Sequence, residues 1–177
     1  LQAQKRGSME GVDLIRGGDE KFNILDYIEG GSRKKETEVH TCTLDEKVKY
    51  HPAFSMGDRT RSFLKVQDGC DYHCTYCTVP LARGKSRNQS IRSIVEEAHA
   101  LGKSGVKEII LTGVNIGDFG KSTGESFYEL VCELEMIPGI ERFRISSIEP
   151  NLLSDDIIRF VAGSKKFLPH FHIPLQS

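Results

Sequence analysis

Three cysteines that lie close together constrain this chain more than any other feature of its sequence. Cys70, Cys74 and Cys77 form a C-x3-C-x2-C triplet. Cysteine sulfur is the ligand that holds iron–sulfur clusters in proteins, so these thiolates can each bind one iron of a [4Fe–4S] cubane. No further cysteine follows nearby. The remaining iron would therefore be open to a small molecule, which favours a catalytic cluster over one that only stores an electron.

Two other roles for these cysteines are less consistent with the sequence. A structural zinc site needs four closed ligands, and His73, which lies between two of the cysteines, reaches poorly towards the same ion. Disulfide pairing would leave one of the clustered thiols over, and no secretory signal is visible. A non-catalytic module that holds zinc or an electron-transfer cluster is the competing class of protein.

Length and composition exclude several classes of protein. The 177 residues suffice for one domain, or one domain with fragments of others, and a charged fraction of 28% is ordinary for a soluble globular chain. The net charge of −1 gives no overall basic field for nucleic acid, which leaves only a local patch. No apolar run approaches the ~20 residues of a membrane span. We expect no membrane association and a cytoplasmic, reducing location, which an oxygen-sensitive cluster requires.

From residue 61 onward, apolar strand patterns alternate with helical patterns. Strands are predicted at 63–66, 106–111, 143–148 and 171–175, and amphipathic helices at 91–101, 127–137 and 155–163. Ser90, Ser126 with Glu129, and Ser154 are expected to cap the helices. Strands and helices that alternate at this spacing predict βαβ units and a parallel sheet, so the predicted fold class is α/β.

Polar segments follow the predicted strands at the same edge of the sheet. The active sites of parallel sheets lie at the carboxyl ends of the strands. The cysteine loop falls there, as do residues 112–115, 147–149 and 176–177. We therefore expect one functional site at this edge.

The chain before residue 61 reads as two further segments. Residues 1–31 are predicted to be the tail of a separate α/β unit, with a strand near Val12 and a helix that Asp19 caps and that carries Phe22, Leu25 and Ile28 on one face. Residues 32–60 are predicted to be a linker and an extended segment. Residues 61–177 would then begin a larger unit, because a sheet with an apolar last strand leaves an unpaired edge. We expect the chain to be a piece of a longer protein.

Particular runs of residues resemble the radical S-adenosylmethionine (SAM) methylthiotransferases. These runs are 66–77, 79–80, 83–84 and 170–177, and residues 11–13 and 20–24 resemble the end of that family's N-terminal domain. The resemblance implies a partial (β/α) radical SAM barrel. It also implies that SAM binds the open iron through its amino and carboxylate groups, and that an electron from the cluster cleaves a C–S bond to give a 5′-deoxyadenosyl radical. The family replaces a C–H hydrogen with a methylthio group.

The family also implies components that are not in this sequence. Its N-terminal domain holds a second [4Fe–4S] cluster through three further cysteines, whereas only Cys42 precedes Cys70 here, at a position that does not fit. We interpret Cys42 as a small buried residue. The family's C-terminal RNA-binding domain is absent too. We therefore expect this chain to bind SAM without completing methylthiolation.

The resemblance extends to three branches of the family. One modifies isopentenyladenosine next to the tRNA anticodon, one modifies N6-threonylcarbamoyladenosine there, and one modifies an aspartate of a ribosomal protein. Residues 111–117 resemble the threonylcarbamoyladenosine branch best, and the isopentenyladenosine branch comes next. The implied partners are the anticodon stem-loop of tRNA and a reducing electron donor.

Individual residues take expected roles from this resemblance. Tyr76 would pack near the adenine of SAM, or serve only in loop packing. Thr112 and Gly113 would lie against the methionine end, where glycine lets the backbone approach closely. A carboxylate can bind an amine or a ribose by charge-assisted hydrogen bonds. The further expected cofactor contacts are Ser147, Glu149 and Gln176, although Glu149 also fits a helix entry before a proline.

The basic residues that follow the cysteines have an expected substrate role. Arg83 and Arg87 would neutralise RNA phosphates or hold a carboxylate on the target base. A solvated loop is the alternative for both. His170 and His172 near the last predicted strand would line the cavity or be structural.

Overall fold

A computed structural model describes residues 3–18, 20–29, 37–40, 50–55 and 61–175. The predictions that concern Asp19, Cys42 and Gln176, and most of the linker, lie outside the described residues.

The N-terminal part contains a small parallel sheet. Helix α1 (Ala3–Gly7) precedes strand β1 (Leu14–Arg16), a 3₁₀ turn and helix α2 (Ile24–Glu29) follow, and strand β2 (Glu38–His40) pairs with β1. Phe22, Leu25 and Ile28, which were predicted to share one helix face, are all exposed, and Phe22 lies in the 3₁₀ turn before α2. A two-stranded sheet and two short helices offer too little surface to cover them. One of these side chains, Phe22, stacks on the ring of His51.

The larger part of the chain is a parallel sheet with helices between its strands. Strands β3 (Arg61–Lys65), β4 (Glu108–Thr112) and β5 (Arg142–Ile145) are hydrogen-bonded in that order. Helix α3 (Val79–Arg83) and helix α4 (Ile91–Lys103) separate β3 from β4, helix α5 (Phe127–Glu135) separates β4 from β5, and helix α6 (Asp155–Gly163) follows. This arrangement confirms the predicted α/β class with parallel strands.

Three serines cap the longer helices as the sequence predicted. The side chain of Ser90 accepts a hydrogen bond from the backbone at the start of α4, and Ser154 does the same at α6. Ser126 and Glu129 form a complete capping box at α5. These bonds satisfy backbone donors that have no partner within the helix.

The predicted fourth strand is not a strand in the structure. Residues 167 and 172 make only isolated parallel bridges, Phe143 with Phe167 and Ser147 with His172. Pro169 precedes this stretch and Pro174 lies within it, and proline lacks the N–H that a ladder requires. The apolar pattern therefore correctly placed this segment beside the chain of residues 143–147, but the two form isolated bridges instead of a continuous ladder.

One face of the sheet packs against the helices, and the other face is more open. Leu64, Ile109, Leu111 and Phe143 are buried with apolar side chains of α4, α5 and α6. The side chains of Phe63 and Lys65, which precede and follow Leu64 in β3, lie on the opposite face. That open face and the carboxyl ends of the strands position the candidate site.

A short antiparallel segment covers the outer edge of β3. Phe54 bridges Leu64, the Ser55 N–H donates to the carbonyl of Phe63 at 3.1 Å, and the Lys65 N–H donates to Ala53 at 2.9 Å. Within the described residues no helix is long and apolar enough to cross a bilayer.

Candidate functional site

The three cysteines of the triplet lie in one loop between β3 and α3. Cys70, Cys74 and Cys77 are half-buried free thiols. The Cys77 N–H donates to the carbonyl of Cys74 at 3.0 Å, and the Cys70 N–H donates to the carbonyl of Gly84 at 3.1 Å. The loop therefore turns back on itself, and its first cysteine is tied to the end of α3.

The surroundings of Cys70 disfavour the negatively charged form of its thiol. Burial raises the pKa of Cys70, and the negative charges of Asp118, Cys77 and Cys74 raise it further, whereas the backbone of Tyr72 opposes them. Thiolates that repel one another need a compensating positive charge. The iron of a cluster supplies it, so the donor set fits the group that the motif predicts.

The thiols are not arranged around one point. No group of three or more Cys, His, Asp or Glu side chains in the described parts of the chain could hold a single metal ion. A mononuclear zinc site requires such convergence. The sulfurs that hold a cubane surround a larger group than a single ion, because each cysteine binds a different iron.

A glycine and a pair of backbone bonds fix the base of the cysteine loop. Gly69 has a φ of +74°, and a Cβ there would lie 2.0 Å from the carbonyl oxygen of Lys85. Asp68 and Arg87 exchange two backbone hydrogen bonds of 2.9 Å. The start and the end of the loop are thus held together.

Asp68 is surrounded by cations. Its carboxylate lies 3.5 Å from Lys65 Nζ, 3.1 Å from Arg83 Nη1 and 3.2 Å from Arg87 Nη2. Burial raises the pKa of Asp68, but the hydrogen bond from Arg83 and the charges of Lys65 and Arg87 outweigh that effect and hold the pKa below its usual value. The carboxylate therefore stays ionised.

Gln67 joins the cysteine loop to the loop after β4, and sequence reasoning missed it. The amide is fully buried. Its Nε2 donates to the carbonyls of Asp68 and Gly69 and to Ser86 Oγ, and its Oε1 accepts from the N–H groups of Val114 and Asn115. The only signal in the sequence was a polar residue directly after the apolar pattern of β3, at the carboxyl end of the strand.

Thr112 and Gly113 line a groove beside the cysteine loop. The groove has a volume of about 630 Å³, and Lys65, Gln67 and Arg83 are also in its wall. A Cβ on Gly113 would lie 2.9 Å from Gln67 Oε1 and 2.8 Å from a methyl group of Ile116, so the backbone here is closely packed.

The other predicted cofactor contacts lie away from that groove wall. Tyr76 is 66% exposed, and its pKa is raised by burial and by the charges of Cys74, Glu149 and Cys77. The phenol is therefore near both the cysteines and Glu149. Ser147 Oγ is hydrogen-bonded to His172 Nδ1 at 2.8 Å, which gives Ser147 a partner within the chain.

Two buried polar side chains near the loops have unsatisfied atoms. Asn115 Oδ1 accepts from the Glu149 N–H at 3.4 Å, but its buried Nδ2 has no hydrogen-bond partner among the described residues. Asp118 Oδ2 also lacks one, whereas Lys121 Nζ lies 2.6 Å from Oδ1. Unsatisfied buried polar atoms are uncommon and are consistent with a polar ligand at this edge.

Arg83 and Arg87 differ in how accessible they are. The Arg87 guanidinium is 11% exposed and donates to the carbonyls of Arg83 and Lys85 as well as to Asp68. Arg83 is 53% exposed and lines the groove. Arg87 therefore holds the loop in this structure, and Arg83 is the more available of the two for a ligand.

This cysteine loop on a parallel α/β sheet is characteristic of one protein class. Residues 64–177 match the Radical SAM superfamily, and the chain belongs to it. Among solved structures, a radical SAM methyltransferase, TsrM of Kitasatospora setae with cobalamin and a [4Fe–4S] cluster bound, has a similar fold. The TM-score is 0.50 at 17% identity, over 64% of this chain and 22% of that one.

Curated relatives indicate a particular group within the superfamily. The chain is 41% identical to the threonylcarbamoyladenosine tRNA methylthiotransferase MtaB of Thermotoga maritima, over 94% of this chain and 38% of the relative. It is 33% identical to MtaB of Aquifex aeolicus, over 100% of this chain and 44% of the relative. It is 36% identical to the tRNA-2-methylthio-N(6)-dimethylallyladenosine synthase of Acetivibrio thermocellus, over 94% and 35%. The chain thus spans less than half the length of these relatives.

Proposed function

We propose that this protein is a radical SAM methylthiotransferase that converts N6-threonylcarbamoyladenosine, next to the anticodon of tRNA, to its 2-methylthio derivative. The observation that carries the proposal is the 41% identity with MtaB of T. maritima over nearly the whole chain. The cysteine loop at the carboxyl end of β3 supports it, because it supplies the thiol donors that this chemistry requires.

The roles of the chain's residues follow from their positions. Cys70, Cys74 and Cys77 would hold a [4Fe–4S] cluster with SAM, and the bound cluster supplies the electron that cleaves SAM. Gln67 fixes the cysteine loop against the backbone of residues 113–115. The cluster and the cofactor would therefore keep a fixed position relative to each other. Thr112 and Gly113 would lie against the methionine end of SAM, and Gly113 lets Gln67 and Ile116 pack closely against this backbone.

Further cofactor and substrate contacts are proposed from the same edge. Tyr76 and Glu149 are close enough to influence each other, and together they would contact the adenosine part of SAM. Arg83 would contact the RNA. The full protein would use a second [4Fe–4S] cluster on other cysteines and a reducing electron donor, in the cytoplasm, and would bind the anticodon stem-loop.

A second candidate is methylthiolation of dimethylallyladenosine, the isopentenyl-modified base. The 36% identity with the A. thermocellus synthase favours it. The two candidates share the cluster chemistry and differ in the group on N6, which is charged in one base and apolar in the other.

Mass analysis of tRNA nucleosides tests the proposal. The full-length gene is expressed in a bacterial strain that lacks both of its own tRNA methylthiotransferases, with Cys74→Ala as the inactive control. We expect 2-methylthio-N6-threonylcarbamoyladenosine with the wild type and none with the variant. If only the dimethylallyl product appears, the second candidate is correct.

Anaerobic reconstitution separates the enzyme from a non-catalytic metal module. The full-length protein is incubated with iron and sulfide, reduced, and supplied with SAM. We expect a brown protein that produces 5′-deoxyadenosine. A colourless protein that binds zinc and leaves SAM intact would contradict the enzyme assignment.

A further inference from the structure

The groove beside the cysteine loop combines aromatic and cationic side chains. Its volume is about 630 Å³, and its wall includes the rings of Phe54 and Phe63 and the cations Lys65 and Arg83. Phe54 is 48% exposed and Phe63 is 44% exposed, so part of each ring is open to a ligand. Exposed rings next to cations are typical of surfaces that stack a nucleobase and bind an anion attached to it.

The sheet register positions Lys65 within this groove. Phe63 and Lys65 alternate with buried Leu64, so both side chains project from the open face of β3. Lys65 is paired with Thr112 across the strands. The cation therefore lies at the carboxyl edge of the sheet, next to the backbone of Gly113 and a few residues before the cysteine loop.

Lys65 belongs to a cluster of cations. Lys65, Arg83 and Arg87 share the carboxylate of Asp68. Lys65 also interacts electrostatically with Glu97 of α4: burial raises the pKa of Glu97, and the charge of Lys65 opposes that shift. The ring of Tyr50 lies 4.8 Å from Lys65 Nζ and its hydroxyl donates to the Lys65 carbonyl. Three cations thus converge on one carboxylate beside the groove, and a partly enclosed cluster of cations attracts an anion.

The two candidate substrates differ in the feature that this groove recognises. The threonylcarbamoyl group carries a carboxylate, and the dimethylallyl group carries no charge. A Lys65 side chain that is only 18% exposed is screened less by solvent than a surface lysine, so its interaction with a carboxylate is stronger.

From these observations we propose that Lys65 is a specificity-determining residue that binds the threonyl carboxylate of the substrate, with the purine against Phe63. The proposal rests on the proposed function, since it names the part of the substrate that this site recognises. SAM also carries a carboxylate, so the experiment must separate the two sources of that group.

The test compares two substrates on the full-length, reconstituted enzyme. One is an anticodon stem-loop with N6-threonylcarbamoyladenosine, and the other is the same RNA with the threonyl carboxylate converted to a carboxamide. We expect the wild type to prefer the acid by about tenfold to a hundredfold in kcat/KM, as for a charge-assisted contact. Lys65→Met should lower that preference to less than about threefold, mainly through KM for the RNA.

Matched variants show whether the effect belongs to the charge at this position. Lys65→Arg should keep most of the preference, since it keeps the cation. Lys107→Met is the control, because Lys107 pairs with exposed Glu141 at the opposite end of β4. Cleavage of SAM without RNA is measured in Lys65→Met as well, because its loss would assign the contact to the cofactor.

The outcomes distinguish the two proposals. If the wild type has the same kcat/KM for the acid and the carboxamide RNA, the proposed role of Lys65 is wrong, and the proposed function is unaffected. A Lys65→Met enzyme that loses SAM cleavage assigns the contact to the cofactor and also overturns it. A wild type that acts only on dimethylallyladenosine RNA overturns the proposed function itself, and this inference with it.

Discussion

Single buried residues fix the geometry of the site. Gln67 and Asp68 adjoin the cysteine triplet, yet their partners come from α3, from the loop before α4 and from the loop after β4. The sequence predicted the three cysteines because their role depends on local spacing. It could not predict Gln67, because a contact with Asn115 depends on how two distant loops fold together.

Replacement of Gln67 should destabilise the protein substantially. Gln67→Ala leaves the buried N–H groups of Val114 and Asn115 without an acceptor, and we expect a loss of about 3 kcal/mol in the free energy of unfolding. Urea denaturation measures it. Gln89→Ala is the matched control, because Gln89 Oε1 has no hydrogen-bond partner in the described structure, and it should change stability by less than about 0.5 kcal/mol. Equal losses for the two variants would contradict the role of Gln67.

Gly69 provides a second test at the level of one residue. Gly69→Ala places a Cβ 2.0 Å from the Lys85 carbonyl oxygen, so the cysteine loop must move and we expect iron incorporation to fall sharply. Gly124→Ala has a similar φ of +76° but no atom within 4 Å of the new Cβ, so it should cost about 1 kcal/mol and keep the cluster. Iron content after reconstitution separates steric clash from backbone strain.

Strands and helices were predicted well where their patterns were strong. The apolar patterns and serine caps located β3, β4, β5 and the helices α4, α5 and α6, whereas α3 was not predicted. The predictions failed where tertiary context decides. The segment that contains Pro174 makes an isolated bridge through His172 in place of the predicted fourth strand.

An ion-pair cluster that spans β4 and β5 should make stability depend on pH. Hydrogen bonds from Arg144 lower the pKa of Glu108, and those from Arg142 add to the effect. The folded-state pKa lies below the unfolded one, so the contribution is complete above the unfolded pKa and is lost as pH falls through the folded pKa.

Glu108→Gln therefore should be less stable than the wild type at pH 7, and the difference should shrink below about pH 4. Thermal denaturation across this pH range measures it. Glu141→Gln serves as the control, because its pair with Lys107 is exposed and contributes little. A stability difference for Glu108→Gln that does not change with pH would contradict the assignment.

Across the whole molecule, the cysteine loop distinguishes this chain from an ordinary α/β scaffold. The fold alone hosts many functions, so the chemistry must be assigned from the loop and the groove. Family membership and the α/β class follow from the comparisons and the structure. The roles of Tyr76, Thr112, Ser147, Glu149 and Arg83 stay predictions.

Cysteine substitutions in the full-length protein test this assignment. Cys74→Ala should reduce bound iron and abolish SAM cleavage, because one iron of the cubane loses its thiolate. Cys132→Ala should leave both unchanged, since Cys132 is a half-buried thiol of α5 outside the loop. Iron analysis and electron paramagnetic resonance of the reduced protein measure the outcome. Retention of the SAM-responsive signal in Cys74→Ala would contradict the ligand assignment.

The arrangement around Asp68 has a consequence for how an anion can enter the protein. If an incoming carboxylate drew Lys65 towards itself, Asp68 would still be neutralised by Arg83 and Arg87. Lys65 would exchange the Asp68 carboxylate for the carboxylate of the substrate, and the partly buried charge of Asp68 would keep a cationic partner throughout. A substrate group without charge would cause no such exchange. Lys65 would then stay paired with Asp68, and the side chains of the groove would keep their positions.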